Sequence, residues 1–169
     1  LSIILPTFNE DENLKFLIPD LIKNLSQVSN LIFEILVIDD NSMDNTLNVV
    51  NKVKVKHDNV HIFVRNSKPS LPMSIYEGIE RSSFENVMWL DADGSMPAFV
   101  VKQLVEKLGD NRDSVIIGSR FVEGGGYKGV ESDGRNSFFK TIKNIYRSED
   151  SLIAILLSRI FNFLLIFLL

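Results

Sequence analysis

Hydrophobic residues fall into short continuous runs along the chain, and stretches with helical periodicity separate those runs. The runs predict β-strands at residues 1–5, 32–38, 60–64, 87–90 and 115–118. Continuous aliphatic runs, in contrast to alternating ones, are typical of strands that are covered on both faces. We therefore expect a sheet with helices packed on both of its sides.

The stretches between the strands predict helices near residues 12–28, 44–56, 72–82 and 97–108. Apolar residues of the first helix recur three and four positions apart, which forms a stripe that packs on a sheet. Strands that alternate with helices predict an α/β fold with a mostly parallel, doubly wound sheet. The stripe of the first helix consists of Leu14, Leu17, Ile18, Leu21, Ile22 and Leu25.

Polar segments follow the predicted strands, and they are candidates for a functional site. In doubly wound sheets, ligands bind just beyond the carboxyl ends of the strands. The segments at those places are PTFNEDE, DDNSMDN, RNSKPS, DADGSMP and SRFVEGGGYKG. Carboxylates dominate three of these segments, so the sequence predicts an acidic site at this edge of the sheet.

The composition excludes several classes of function. The chain has 169 residues, no cysteine, and 18 basic against 22 acidic residues, which gives a net charge of −4. Without cysteine there is no disulfide, thiol nucleophile or cysteine metal site. The charge gives no general attraction for nucleic acid, so no nucleic-acid partner is expected. We expect His57 and His61 to be surface polar residues, and Trp89 to pack in the core.

The ends of the chain indicate an excerpt of a longer protein, because it opens on the apolar strand LSIILP and stops within FNFLLIFLL. The glycine-rich residues 122–134 predict a mobile loop. Residues 151–169 form an apolar run that Ser158, Arg159 and Asn162 interrupt. A central arginine is costly in hydrocarbon, so a helix at the membrane interface is favoured over a spanning one. A spanning helix and a core-packing helix remain alternatives.

The acidic pair Asp39 and Asp40 resembles that of response-regulator receiver domains, in which a later aspartate accepts a phosphoryl group. Asp93, followed by Met96 and Pro97, matches that second feature. However, a full strand and helix precede the acidic pair, and a receiver would bury Asp91 unpaired, which costs several kcal/mol. A receiver domain phosphorylated at Asp93 is therefore the alternative from a different functional class.

Four motifs, in order along the chain, resemble family 2 glycosyltransferases of the GT-A fold. They are LPTFNE, VIDDNSMDNT, LDADGSMP and GSRFVEGGG, and GRNS matches loosely after them. The resemblance is to the dolichol-phosphate mannosyltransferase-like branch, and it extends from residue 1 to about residue 137. It implies a GT-A catalytic domain over residues 1–135, followed by an acceptor-side helix and the apolar, interfacial helix within residues 136–169.

The resemblance implies an inverting transfer of a mannose-like or glucose-like hexose from a nucleotide-diphosphate sugar to a polyprenyl or dolichyl phosphate. The leaving diphosphate gains negative charge, which a hard cation such as Mg²⁺ or Mn²⁺ stabilises through oxygen ligands. Asp91 and Asp93 are the implied metal residues. Asp93 is the direct ligand, whereas Asp91 binds directly or acts through water or the ribose. The same DADG residues also suit a helix cap and turn.

The resemblance assigns the remaining site residues as well. An ionised acceptor phosphate needs no general base, only cations that position it, and arginine meets phosphate oxygens with two N–H groups. The third loop, KPSLPMS, departs from the glycine-rich loop of many members, and there Arg65 or Lys68 is expected to reach a phosphate. The catalytic set is Asp91, Asp93 and Arg120; the acceptor-phosphate set is Arg120, Arg135 and Ser137; the donor set is Pro6, Thr7, Asn9, Glu10, Asp39, Asp40, Lys68 and Asp91.

The implied partners are a GDP- or UDP-linked sugar, a lipid phosphate and a membrane surface. A lipid-phosphate acceptor favours a location on the cytoplasmic face of a membrane, peripheral or anchored through the C-terminal apolar segment. The alternatives within this chemistry are a polysaccharide or other glycan acceptor, and a catalytically incomplete nucleotide-binding domain.

Overall fold

The computed structural model describes residues 1–109 and 114–118. Of the chain, Leu1–Ile116 forms one compact unit, and the second unit, Ile117–Leu169, falls almost entirely outside the described residues. The predicted loop at 122–134, the domain boundary at residue 135 and the apolar helix at 151–169 therefore lie outside the described residues.

Within the described residues, four strands alternate with four helices, which confirms four of the five predicted strands and all four predicted helices. Among the described residues, no helix is both long enough and apolar enough to cross a membrane. The strands are β1 (Ser2–Thr7), β2 (Glu34–Asp39), β3 (Val60–Val64) and β4 (Val87–Trp89), and the helices are α1 (Asp11–Leu25), α2 (Thr46–Lys54), α3 (Leu71–Glu80) and α4 (Ala98–Gly109).

The four strands form one parallel sheet in the order β3-β2-β1-β4. In the register of the sheet, Ser2 of β1 pairs with Glu34 of β2 on one side and with Val87 of β4 on the other. Ile35 of β2 pairs with Val60 of β3. The chain proceeds from β1 to β3 on one side of β1 and then places β4 on the other side. A parallel sheet of this kind opens a crevice where the direction of winding reverses, between the carboxyl ends of β1 and β4.

Helices cover both faces of the two central strands, which confirms the prediction drawn from their continuous apolar runs. Ile3 and Leu5 pack in the larger core, to which α1, α2 and α4 contribute. Ile4, Leu36 and Ile38 form a smaller cluster on the opposite face, where α3 packs. The predicted stripe of α1 is confirmed: Leu14, Leu17, Ile18, Leu21 and Leu25 are buried, and Ile22 is partly buried against the same core.

Two expectations about apolar residues were wrong. Residues 114–118 form no strand, and Val115 and Ile117 are 87% and 78% exposed. Their short apolar run finds no pairing strand among the described residues, and backbone without a pairing partner does not form a strand. Trp89 is 56% exposed: it lies on β4, which pairs only with β1 among the described residues, whereas α3 packs over β1 and β2.

A buried carboxylate ties three segments together at the amino ends of the strands. Glu34 accepts hydrogen bonds from Ser2 Oγ at 2.7 Å and from the Ser83 backbone N–H at 2.6 Å. The imidazole of His61 lies 3.9 Å away. Burial by itself would raise the pKa of Glu34, but the hydrogen bonds from Ser2 and Ser83 outweigh it and lower that pKa below its ordinary value of 4.5.

Replacing Glu34 with glutamine is expected to lower the free energy of unfolding by about 2 kcal/mol at pH 7, since charge-assisted hydrogen bonds are lost. A depressed pKa stabilises the folded chain above the unfolded value of 4.5, and that contribution disappears as pH falls through the folded value. The difference between variant and wild type should therefore shrink on acidification in urea titrations. Glu80→Gln, an exposed site, is the control and should leave stability unchanged at both pH values. A difference that does not change with pH would contradict the assignment.

Candidate active site

An open cleft lies at the carboxyl ends of the strands, where the winding of the sheet reverses. Its volume is about 420 Å³, within the roughly 300–1,000 Å³ typical of small-molecule sites. Three strand-following loops contribute most of its surface, those after β1, β3 and β4. The lining residues are Pro6, Thr7, Phe8, Glu10, Asp40, Pro69, Ser70, Leu71, Asp91, Ala92 and Asp93.

The loop after β1 contributes both apolar and acidic surface to the cleft. Phe8 is 48% exposed there. Glu10 also lines the cleft; its backbone N–H donates to Thr46 Oγ1 at 3.0 Å, and its carboxylate accepts from Asn13 Nδ2 at 2.6 Å. Pro6 and Thr7 end the strand in the cleft lining, and their contact with a donor stays a prediction.

Asn9 does not line the cleft but joins the first loop to the second. Its φ of 56° is in the left-handed region, which asparagine tolerates better than most residues. The Asn9 N–H donates to Ser42 Oγ at 2.8 Å, and the Met43 N–H donates to Asn9 Oδ1 at 2.8 Å. Direct contact between Asn9 and a donor stays a prediction.

The first aspartate of the acidic pair supports the second loop. Asp39 is completely buried, and its carboxylate accepts hydrogen bonds from the backbone N–H and the hydroxyl of Ser42. Asn41, between them, has a φ of 61°. Asp39 thus holds the turn that contacts Asn9, and its role as a direct nucleoside ligand stays a prediction.

The carboxylate of Asp44 accepts hydrogen bonds at the amino ends of two helices. It accepts from the Thr46 N–H at 3.0 Å and from the Asp11 N–H at 3.1 Å, so it serves the first turns of both α2 and α1. Desolvation would raise the pKa of Asp44, but these hydrogen bonds lower it overall.

The second aspartate of the pair is paired inside the protein. Asp40 is 5% exposed and forms an ion pair with Arg65, which is 6% exposed. The other carboxylate oxygen of Asp40 accepts from the Ser70 N–H at 2.9 Å and from Ser74 Oγ at 2.8 Å. Arg65 does not reach the surface as a phosphate ligand, because Asp40 and its other partners hold it inside.

The loop after β3 forms one wall of the cleft. Residues 69–71 line the cleft, and Leu71 is 53% exposed. Lys68 is exposed beside them but is not part of the lining. Its predicted contact with a phosphate stays a prediction.

The DADG motif presents two carboxylates at the mouth of the cleft. Leu90 and Ala92 are buried, whereas Asp91 and Asp93 are exposed. Exposed and buried residues therefore alternate from Trp89 to Asp93, as they do along a strand. Asp93 Oδ1 accepts from the Ser95 N–H at 2.8 Å, and Gly94 takes a φ of 75° in this turn. The structure thus brings both predicted metal residues into the cleft lining.

The matching family model is that of glycosyl transferase family 2, over residues 2–164. This chain belongs to glycosyl transferase family 2. Membership of this family excludes the receiver-domain alternative. A receiver domain would bury Asp91, whereas in the structure Asp91 is exposed in the cleft.

Curated relatives of this chain include two proteins whose names specify the attachment of mannose to a lipid phosphate. It is 35% identical over 124 residues to the dolichol-phosphate mannosyltransferase of Pyrococcus furiosus, covering 73% of this chain and 34% of that protein. It is 32% identical over 127 residues to the polyprenol monophosphomannose synthase of Mycolicibacterium smegmatis, covering 73% and 46%. The chain therefore spans about a third to a half of the length of these relatives.

Solved structures with the same fold confirm the predicted GT-A architecture. One is a mannosyltransferase from Pyrobaculum calidifontis in complex with GDP-Man and Mn²⁺, at a TM-score of 0.56 and 21% identity, covering 65% of this chain and 32% of that one. Another is TarS from S. aureus in complex with UDP, at a TM-score of 0.56 and 24% identity, covering 66% and 32%.

The metal-ligand atoms that the cleft offers would suit a hard divalent cation only in part. Asp91 and Asp93 supply carboxylate oxygens, the ligand type that Mg²⁺ and Mn²⁺ prefer. Within residues 1–109 and 114–118, no three acidic, histidine or cysteine side chains form a metal-binding group. Such a cation would therefore take its remaining ligands from phosphate oxygens and water.

The sequence reasoning missed the apolar surface of the cleft. Phe8, Pro69 and Leu71 line it together with the acidic residues. Phe8 lies inside the LPTFNE motif, between Thr7 and Asn9, which were both predicted to bind the donor. Its position in the motif could therefore have identified it as a site residue. Leu71 lies within the KPSLPMS segment that contains Lys68, but only the fold shows that α3 begins in the cleft.

Proposed function

We propose that this chain transfers a hexose, with mannose as the leading candidate, from a nucleotide-diphosphate sugar to a polyprenyl phosphate. The observation that carries the proposal is the exposure of Asp91 and Asp93 together at the switch point of a family 2 chain. The names of the curated relatives support mannose and a lipid phosphate. The GDP-Man and Mn²⁺ of a structural neighbour support the donor and the metal.

Donor binding follows from the chemistry of the cleft lining. Asp93, assisted by Asp91, would hold Mg²⁺ or Mn²⁺, which neutralises charge on the leaving diphosphate. Phe8 and Leu71 provide apolar surface suited to a nucleobase. Thr7 and Glu10 provide polar atoms near it, and Lys68 is the nearby cation for a phosphate.

The reaction is a single in-line displacement with inversion. A phosphate oxygen of the acceptor attacks the anomeric carbon, and the bond from that carbon to the diphosphate oxygen breaks. The electron pair leaves with the nucleotide diphosphate, and no proton moves because the acceptor is already ionised. Arg120, Arg135 and Ser137 lie outside the described residues, and their role in holding the acceptor phosphate remains part of the proposal.

A lipid-phosphate acceptor requires the cleft to work at a membrane surface. We place the protein on the cytoplasmic face, where residues 136–169 would provide the contact. The apolar run at residues 151–169, which Arg159 interrupts, supports an interfacial position over a spanning one.

The test is sugar transfer from labelled GDP-mannose and UDP-glucose to a short-chain polyprenyl phosphate in detergent with Mn²⁺. Label should enter the organic phase from GDP-mannose, and it should not do so with the matching unphosphorylated polyprenol. Transfer to a mannan oligosaccharide but not to the lipid phosphate would overturn the acceptor and establish the glycan alternative. Transfer from UDP-glucose alone would overturn mannose.

A further inference from the structure

Arg65 lies at the centre of a buried polar network beneath one wall of the cleft. The Arg65 network consists of Arg65, Asp40, Ser67, Ser74 and Glu77. Arg65 donates to Asp40, to Ser74 Oγ at 3.0 Å and to Ser67 Oγ at 2.9 Å. Its Nε also lies 3.3 Å from a Glu77 carboxylate oxygen. A guanidinium with this many partners is fixed in one position, since its donors form a rigid fork.

The network connects the end of the sheet to the cleft wall. The Arg65 backbone N–H donates to the Asp39 carbonyl at 2.8 Å, which extends the pairing of β2 with β3. Through Asp40 the network binds the Ser70 N–H, and through Ser74 it binds the first turn of α3. Residues 69–71, which form this wall, therefore depend on a buried ion pair for their position.

Arg65 also reduces the net negative charge at the cleft. Glu10, Asp40, Asp91 and Asp93 line it, and a nucleoside diphosphate is itself an anion. Because Arg65 compensates Asp40, that carboxylate adds little repulsion toward a bound diphosphate. Removing Arg65 would release the wall and leave an uncompensated, buried negative charge in the cleft.

We propose that Arg65 is a positioning residue for the nucleotide: without contacting it, Arg65 holds Asp40 and residues 69–71 in the geometry that binds a nucleoside diphosphate. This inference rests on the proposed function of the cleft. It deepens that function by assigning nucleotide affinity to a buried cation that is outside the cleft lining.

The experiment compares Arg65→Met with Arg81→Met in calorimetric titrations with GDP and with UDP in the presence of Mn²⁺. Arg81 is a matched control, because it also pairs with Glu77, at 2.9 Å, but lies at the end of α3 away from the cleft. Arg65→Met should weaken nucleotide binding at least about tenfold, since small displacements of a site are costly. Arg81→Met should bind as the wild type does, and Arg65→Lys should recover part of the affinity because it restores the charge.

Two further measurements separate positioning from general stability. Ser74→Ala removes a hydrogen bond to Asp40 but leaves the Asp40–Arg65 ion pair intact, so this variant should remain folded and bind nucleotide about threefold more weakly. If Arg65→Met does not fold, the nucleotide affinity of Ser74→Ala tests the proposal instead. In transfer assays, KM for the donor should rise with kcat nearly unchanged. Wild-type affinity in folded Arg65→Met, or in Ser74→Ala if the former is unfolded, would overturn the proposal. A wild type that binds neither nucleotide would instead overturn the proposed function.

Discussion

Replacing Asp93 with asparagine is expected to lower the transfer rate at least about a hundredfold, because electrostatic stabilisation of the leaving group is a large catalytic contribution. Asparagine keeps the side-chain oxygen that accepts from the Ser95 N–H, so the turn after β4 should remain intact. The loss should therefore reflect the missing charge. Transfer rates with saturating GDP-mannose and increasing Mn²⁺ measure it.

Two variants make this result specific. Asp58→Asn removes the same charge from an exposed position outside the cleft lining and should leave the rate unchanged. Asp91→Asn should cost less than Asp93→Asn if Asp91 acts through water or the ribose. Full activity in folded Asp93→Asn would contradict the assignment of the DADG carboxylates to the metal.

Replacing Gly78 with valine is expected to lower the free energy of unfolding by about 3 kcal/mol, the upper part of the range for overpacked cores. A Cβ at this position would lie 2.4 Å from Ile4 Cγ2, in the middle of β1, one of the two central strands. The helix can yield only by moving away from β1 and β2, which would also displace the cleft wall at its beginning. Urea titration followed by circular dichroism measures the change.

Alanine at the same position separates helix propensity from crowding. Gly78→Ala gains roughly 1 kcal/mol of helix propensity, so its net cost should be smaller than that of valine but still a loss. Gly109→Ala, at the end of α4 with nothing within 4 Å, has no crowding and should be neutral or slightly stabilising. Ile4→Ala removes all three Ile4 atoms that the new Cβ would meet, so it should destabilise the Gly78→Ala background less than it destabilises the wild type. Gly78→Ala as stable as wild type would show that α3 shifts without cost.

Local patterning was sufficient to predict most of the sheet and helices. The continuous runs of β1 and β2 indicated burial on both faces, and the structure buries all six residues of each strand. The parallel order then follows from the strand–helix alternation, and it brings the segments after β1 and β4 together. That is why Asp91 and Asp93 could be assigned to a cleft from sequence.

Tertiary contacts decided what the sequence could not predict. The short apolar run at residues 115–117 is typical of a buried strand, but a strand also needs a neighbour to pair with, which no local pattern specifies. Trp89 is apolar in a strand, yet its exposure depends on which strands α3 covers. Asp40 and Arg65 are 25 residues apart, so their mutual burial depends on the register of β2 with β3.

The measurement that tests the central claim most directly is a calorimetric titration of the chain with GDP-mannose and with UDP-glucose, each with and without Mn²⁺. A nucleotide-sugar site built on Asp91 and Asp93 predicts binding that needs the metal, prefers one base, and is lost in Asp93→Asn. A folded chain that binds neither donor with Mn²⁺, or that binds one equally well without it, would contradict the account.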